Sequence, residues 1–253
     1  MYSKIYDFCK IRNKGTVYDN DPNEPTPRVK FLISLLESEG IDYELDKSKI
    51  KGFLKGQTTL YNIILKGNSN KMVVAHHDVA NPNIDNANDN SCSVINAIMI
   101  KKLMPNIHVV LLDGEEFGGK GSKVISEKIK NGYFGNIDWV LNLELTGKGG
   151  KYFFIGNYPG RLQDRIKSLF PDAPIVQTPF NDSVIFRQNG IDSCVINPLP
   201  ILIENKESNV KYGDKYLDYS ILYNCHNKRD NISTIDPNDM KEFVEEVVVK
   251  ILS

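Results

Sequence analysis

His76, Asp78, Asp89, Glu115, Glu116, Glu144 and His226 make a dispersed series of imidazoles and carboxylates, and most of them stand just after an apolar run. Imidazole nitrogen and carboxylate oxygen are the ligands that zinc takes in catalytic sites, and a carboxylate can bridge two ions held roughly 3.5–4 Å apart. Two ions need about five such ligands, and the series supplies them. Its order and placement suit a two-metal hydrolase.

Such residues must be carried to one place by the elements around them. Apolar, β-rich segments at 60–65, 72–75, 107–112, 139–145, 152–155 and 194–197 read as strands, and amphipathic patterns at 91–103, 121–129, 161–170 and 183–188 read as helices. Pro25-Thr26-Pro27 opens an earlier helix whose apolar positions Val29, Leu32, Ile33, Leu35 and Leu36 recur until Gly40. Asp236 and Pro237 open the last one, with its stripe of Phe243, Val244, Val247, Val248 and Ile251. This alternation predicts an α/β fold: a single three-layer αβα domain over residues 1–253, with a mostly parallel twisted sheet and helices on both faces. In such a sheet ligands bind beyond the carboxyl ends of the strands, where His76, Asp78, Glu115, Glu116 and Glu144 fall. The polar stretch 199–217 reads as a long loop bordering that site.

Composition narrows the partners. With 31 Lys and Arg against 32 Asp and Glu, the net charge of -1 gives no basic field for nucleic acid or an anionic membrane. A small molecule or peptide is the expected partner, and the oligomeric state is open. Residues 1–10 hold no apolar run long enough for a signal segment or a membrane span, and Cys9, Cys92, Cys194 and Cys225 are too few and scattered for a disulfide framework. A cytoplasmic location is the expectation.

Ala75-His76-His77-Asp78, Ala87-Asn88-Asp89-Asn90, Asp113-Gly114-Glu115-Glu116-Phe117-Gly118 with Gly121-Ser122, Asn142-Leu143-Glu144, and His226 with Asp230 carry a resemblance. At these residues the chain resembles the co-catalytic zinc exopeptidases of metallopeptidase family 28, the aminopeptidase and glutamate-carboxypeptidase-like group, over roughly residues 25–252. The resemblance implies a zinc exopeptidase fold and two Zn2+ ions, with Mn2+ or Co2+ as substitutes. His76 and Glu116 would be terminal ligands of different ions, Asp89 the bridge across a cis peptide to Asn90, and Glu144 and His226 would complete the two sets. Glu115 would be the general base and Asp78 would orient the His76 ring. Peptide or peptide-like amide bonds would then be hydrolysed by a metal-bound hydroxide, and an aminopeptidase is the leading expectation.

Simpler roles stand beside these. Glu115-Glu116 alone could be a solvated helix start, and Asp89 a turn residue. His77 is the rival of His76, but the family pattern and the alternation of a strand both turn it away. His108, inside an apolar strand, reads as a core histidine. Asp182 and Ser183 resemble a segment that helps form the substrate pocket, or are simply a helix N-cap. In that segment Asp182 offers a partner for an amine and Arg187 one for a carboxylate. Two departures from the family matter: Glu144 stands where Asp is usual, and Cys225 stands where several relatives place a Tyr that donates to the oxyanion. Tyr223 or Tyr219 would have to fill that role. The alternative functions are a metal-dependent carboxypeptidase or deacylase acting on an acylated or glutamyl small molecule and, less favoured, a catalytically idle binding module. A mononuclear glutaminyl-cyclase-like reading is weakened by the full second-ion set.

Overall fold

The structure, a computed structural model, describes residues 1–11, 24–51, 57–202 and 208–253. Helices α1 (Lys4–Cys9) and α2 (Pro27–Ser38) come first, then strands β1 (Glu44–Lys51), β2 (Gln57–Leu65) and β3 (Lys71–His76). A π-type turn at Ala87–Ser91 leads into α3 (Cys92–Leu103), followed by β4 (His108–Leu112), α4 (Lys120–Lys130), β5 (Trp139–Leu143) and β6 (Phe153–Gly156). Next come α5 (Arg161–Leu169), β7 (Ile175–Val176), α6 (Asp182–Gln188), β8 (Ser193–Pro198), and a small hairpin of β9 (Lys211–Tyr212) and β10 (Lys215–Tyr216). A 3-10 turn at Tyr219–Asn224 precedes a helical run made of α7 (Pro237–Glu242), a wider-turned stretch Phe243–Val248, and α8 (Val249–Leu252).

Local chemistry sets the helix starts. The Thr26 hydroxyl accepts the Val29 N–H at 3.3 Å and Pro27 follows as first residue of α2, where its missing N–H costs nothing. Asp236 does the same for α7, its carboxylate accepting the Asn238 N–H at 2.8 Å before Pro237.

The large sheet has eight strands in the order β1-β2-β4-β3-β5-β8-β6-β7. Its centre, β4-β3-β5-β8, is parallel, with Val73 opposite Val109 and Leu141. Successive residues of these strands serve opposite faces, as a pleat demands. Val73, Ala75, Val109, Leu111 and Leu141 pack with Val29, Ile98 and Val247 on one face. Met72, Val74, Val110, Leu112 and Val140 pack with Ile125 and Phe186 on the other. Helices therefore cover both faces, as the alternation of elements requires.

Three features depart from the sequence reading. Strand β1 has no apolar alternation in its ELDKSKIK sequence; it is an edge strand held antiparallel to β2 by backbone pairing. Strands β2 and β6 run antiparallel to β4 and β8, so the parallel pairs lie among the four central strands and in the edge pair β6–β7. The stretch 199–217 is not a plain loop: it contains the β9–β10 hairpin and an Ile201–Leu217 bridge, although residues 203–207 lie outside the described residues.

Candidate metal centre

His76 is the last residue of β3, and its buried ring turns to the same side as Val74 and Met72. Its Nε2 lies 3.4 Å from Asp89 Oδ1 and 3.4 Å from Glu144 Oε2. Its Nδ1 faces Asp78, 3.3 Å from the carbonyl and 3.4 Å from Oδ1. His77 turns away and its Nε2 donates to the Tyr61 carbonyl on β2 at 2.9 Å. His108 is likewise engaged elsewhere, its Nδ1 accepting the Gly67 N–H at 3.1 Å.

Asp89 lies between the two imidazoles. One carboxylate oxygen faces His76 and the other lies 3.1 Å from His226 Nε2, which is also 3.1 Å from Glu116 Oε2. The Asp89–Asn90 peptide is cis, and Asn86, Leu145 and His226 all adopt positive φ although none is glycine. Left-handed backbone at such residues costs roughly 1–2 kcal/mol each, and its concentration here marks a site held by its surroundings. Those surroundings are visible. Asn90 donates to the Leu143 carbonyl at 3.0 Å and accepts the Leu145 N–H at 3.1 Å, so it grips the chain on both sides of Glu144. Asp230 accepts the Asn88 and Asp89 N–H groups at 2.7 and 3.0 Å.

Asp78 performs the equivalent task for the acidic pair. Its two oxygens accept the N–H groups of Glu115 and Glu116, each at 3.1 Å, which are shorter contacts than the one to His76. Gly118 and Gly119, with φ of 88° and 64°, then turn the chain into α4. A Cβ on Gly119 would press on the Ile185 side chain and come within 2.9 Å of Ser122 Oγ.

Three groups of ligand atoms converge: His76, Asp89 and Glu144; Asp89, Glu116 and His226; and His76, Glu115 and Glu116. The first two share Asp89. Burial lowers the His76 pKa, but the charge of Glu144 and contacts with Asp78, Asp89 and Glu144 outweigh it and hold the ring well above its ordinary value. Contacts with Asp89 and Glu116 push His226 up to about 10. Burial raises the Asp89 carboxyl, yet His226 and His76 hold it below the usual carboxylate range. Burial also drives Glu115 well above the usual range and raises Glu116. Carboxylates thus outnumber the cations facing them, and the buried Glu116 Oε1 has no hydrogen-bond partner. A donor set of this kind fits divalent cations.

The centre opens into a cavity of about 360 Å³. Glu115, Glu116, Glu144 and His226 form its floor, and Phe154, Val195, Asn197, Phe180 and Leu222 are among its walls. No Lys or Arg is among the described residues that line it. The described residues of 199–217 are not among its lining; Leu222 of the 3-10 turn and residues 178–181 are.

The expected pocket residues lie elsewhere. Arg187 pairs with Asp192 at 3.0 Å and donates to the Pro159 carbonyl at 2.6 Å, so its charge is engaged away from the cavity. Tyr223 is 70% exposed and packs edge-on against Tyr219 rather than lining the cavity. Asp182 is fully buried and is not among the lining residues; neither carboxylate oxygen is hydrogen-bonded to a described residue, and the nearby Ser122 hydroxyl donates to the Gly119 carbonyl. Burial pushes its pKa up to about 7. The cap of α6 is Asn181, which accepts the Ser183 N–H at 3.0 Å. Sequence reasoning missed Asn197 and Val195, whose signal is the inward-facing alternation of β8, and the clamping roles of Asn90 and Asp230.

Comparisons place this geometry among known proteins. The sequence model of Peptidase family M28 matches residues 62–249. No curated protein matches the chain. Among solved structures, the glutaminyl cyclase of Porphyromonas gingivalis is 20% identical with a TM-score of 0.69, covering 99% of this chain and 97% of its own. The LapA aminopeptidase of Legionella pneumophila is 12% identical, with a TM-score of 0.66 over 99% of this chain and 68% of its own. The zinc aminopeptidase BSAP of Bacillus subtilis is 17% identical, TM-score 0.59, over 80% of this chain; the match spans 51% of that enzyme. At these identities the likeness is one of fold.

Proposed function

Because the chain belongs to peptidase family M28, we propose that it is a two-zinc exopeptidase that removes residues from the amino end of a small peptide or peptide-like amide. The cavity lining carries this reading. Its floor is built from carboxylates and no Lys or Arg is among the described residues that line it, which favours a free α-amine over a terminal carboxylate. The carboxypeptidase or deacylase alternative needs a cation at that position, and the described lining offers none.

His76, Asp89 and Glu144 would hold one ion and Asp89, Glu116 and His226 the other. Bound zinc supplies Lewis acidity to the scissile carbonyl and lowers the pKa of water from 15.7 towards about 7. Glu115, raised by burial and lining the cavity, takes a proton from the attacking water and delivers it to the leaving amine nitrogen. An idle binding module would have no use for that carboxylate beside complete ligand sets. Apolar walls such as Phe154, Val195 and Leu222 exclude water from the reacting centre. Cys9, Cys92, Cys194 and Cys225 form no disulfide, which supports a cytoplasmic site of action, and among the described residues no helix is long and apolar enough to cross a membrane.

A second reading comes from the glutaminyl cyclases that share the fold. The chain spans 97% of one glutaminyl cyclase and 92% of another, from an Acidobacteriales bacterium, but 51% and 68% of the two aminopeptidases. In that chemistry the α-amine of an N-terminal glutamine attacks its own side-chain carboxamide, a C–N bond forms and ammonia leaves. Two candidate ligand sets around Asp89 support hydrolysis as the leading reading. Mass spectrometry of a peptide incubated with the zinc-loaded protein separates the readings. Stepwise shortening that N-acetylation abolishes and C-terminal amidation tolerates is expected. Loss of ammonia from a glutamine peptide without shortening would favour cyclisation, and cleavage that needs a free carboxylate would restore the carboxypeptidase reading.

A further inference from the structure

Arg28, the second residue of α2, is buried to 1% exposure although it carries a full charge. Its guanidinium carbon lies 4.0 Å from the centre of the Phe8 ring on α1, so the first two helices hold it between them. From there it reaches two segments of the metal centre. Nε donates to the carbonyl of His77, the residue after His76, at 2.9 Å, and Nη2 donates to the hydroxyl of Ser91, two residues after Asp89, at 2.9 Å. That hydroxyl in turn donates to the Asn86 carbonyl at 2.6 Å, which closes the segment carrying Asp89 on itself. Taking a guanidinium out of water is expensive, and a methionine in its place would fill the volume without that cost. What Arg alone supplies is a rigid planar fork that meets two acceptors at a fixed spacing. Here the acceptors belong to the end of β3 and to the turn before α3, the segments that bring His76 and Asp89 to 3.4 Å from each other.

We propose that Arg28 is a positioning residue: through the His77 carbonyl and Ser91 it sets the spacing of His76 and Asp89, and so the affinity for the ion that these two share with Glu144. The proposal rests on the two ligand sets described above. The Asp89 segment has two anchors, one toward each imidazole. Asp230 accepts the N–H groups of Asn88 and Asp89 and ties them to the loop of His226, whereas Arg28 ties the same segment to the strand of His76. Loss of the Arg28 anchor should therefore loosen the set of His76, Asp89 and Glu144 and disturb the set of Asp89, Glu116 and His226 less. A residue that merely supported the fold would weaken both alike.

The test is zinc affinity, read by competition with a chromophoric chelator, in two backgrounds that each keep one ligand set. His226→Ala keeps His76, Asp89 and Glu144, and His76→Ala keeps Asp89, Glu116 and His226. Arg28→Lys retains the charge but replaces the fork by a compact ammonium on a flexible stem. It should weaken zinc binding by roughly 10–100-fold in His226→Ala, the range for lost partners of metal ligands, and by a smaller factor in His76→Ala. Should Arg28→Lys fail to fold, Ser91→Ala, which removes one acceptor and leaves the guanidinium in place, makes the same comparison. An unchanged affinity in His226→Ala, or an equal or larger loss in His76→Ala, would overturn the proposal. Failure of either background protein to bind zinc would defeat the two-set assignment and the proposal with it. Turnover plays no part in the measurement, so a protein that behaves as expected but shortens no peptide loses the exopeptidase reading and keeps this role for Arg28.

Discussion

The Asp230 carboxylate accepts the backbone N–H of Asp89 at 3.0 Å, so the residue that faces both imidazoles is held from behind by the loop that carries His226. A second bond to the Asn88 N–H at 2.7 Å makes the grip two-pronged. His226 itself is half exposed and the 3-10 turn before it has no buried residue, so little else fixes its position. Asp230 thereby ties the placement of His226 to that of Asp89.

Asp230→Asn should therefore weaken the ion held by Asp89, Glu116 and His226. The amide keeps one acceptor but turns an N–H group toward a backbone N–H, and loss of such supporting partners typically costs 10–100-fold in metal affinity. Zinc titration of the variant should show one tight and one weakened site, with a lower melting temperature. Two sites of parental affinity would show that the clamp does not matter for the ion.

Glu115→Gln should retain both ions and the fold. Its side chain is outside both triads that share Asp89, while its backbone N–H, which Asp78 accepts at 3.1 Å, is unchanged. Loss of the proton-transferring carboxylate should slow the chemical step by on the order of 10²–10⁴. Single-turnover rates close to the parent would assign the proton transfer to another group.

The convergence of the candidate ligand series was legible in the sequence because ligand chemistry restricts residue types and strand ends fix where they stand. His76 over His77 followed from the alternation of β3, and the structure seats His77 against Tyr61. Pocket residues were not legible in the same way. Whether Arg187 serves a ligand depends on what it meets in space, and it meets Asp192, five residues on. Tyr223 was chosen for its hydroxyl, but the turn that carries it leaves the ring in solvent. Strand β1 was missed because its partners are backbone groups of β2, and its charged side chains give no periodic signal. Asn197 ends an apolar strand in the sequence, and the fold brings it with Phe154, its partner in the register, into the cavity lining.

Acid sensitivity should arise in part from His108. Burial, reinforced by the charge of Lys101, holds its pKa below the ordinary histidine value, and its Nδ1 accepts the Gly67 N–H, which needs a neutral ring. The unfolded chain then binds a proton that the folded chain does not, so stability rises with pH through this range. The contribution is complete above about pH 6.5 and is lost as pH falls towards the folded pKa. Urea midpoints of the metal-free parent and of His108→Asn, at pH 7.5 and 5.5, check this. The parent should lose more stability between the two than the variant; equal losses would remove His108 as a source.

Counting ions tests the central claim most directly, because the account rests on two ligand sets sharing Asp89. Metal-free protein titrated with zinc, then freed of excess and measured by elemental analysis, should approach two ions per chain. His226→Ala should approach one, since His76, Asp89 and Glu144 remain. A parent protein that saturates at one ion would contradict the two-metal centre.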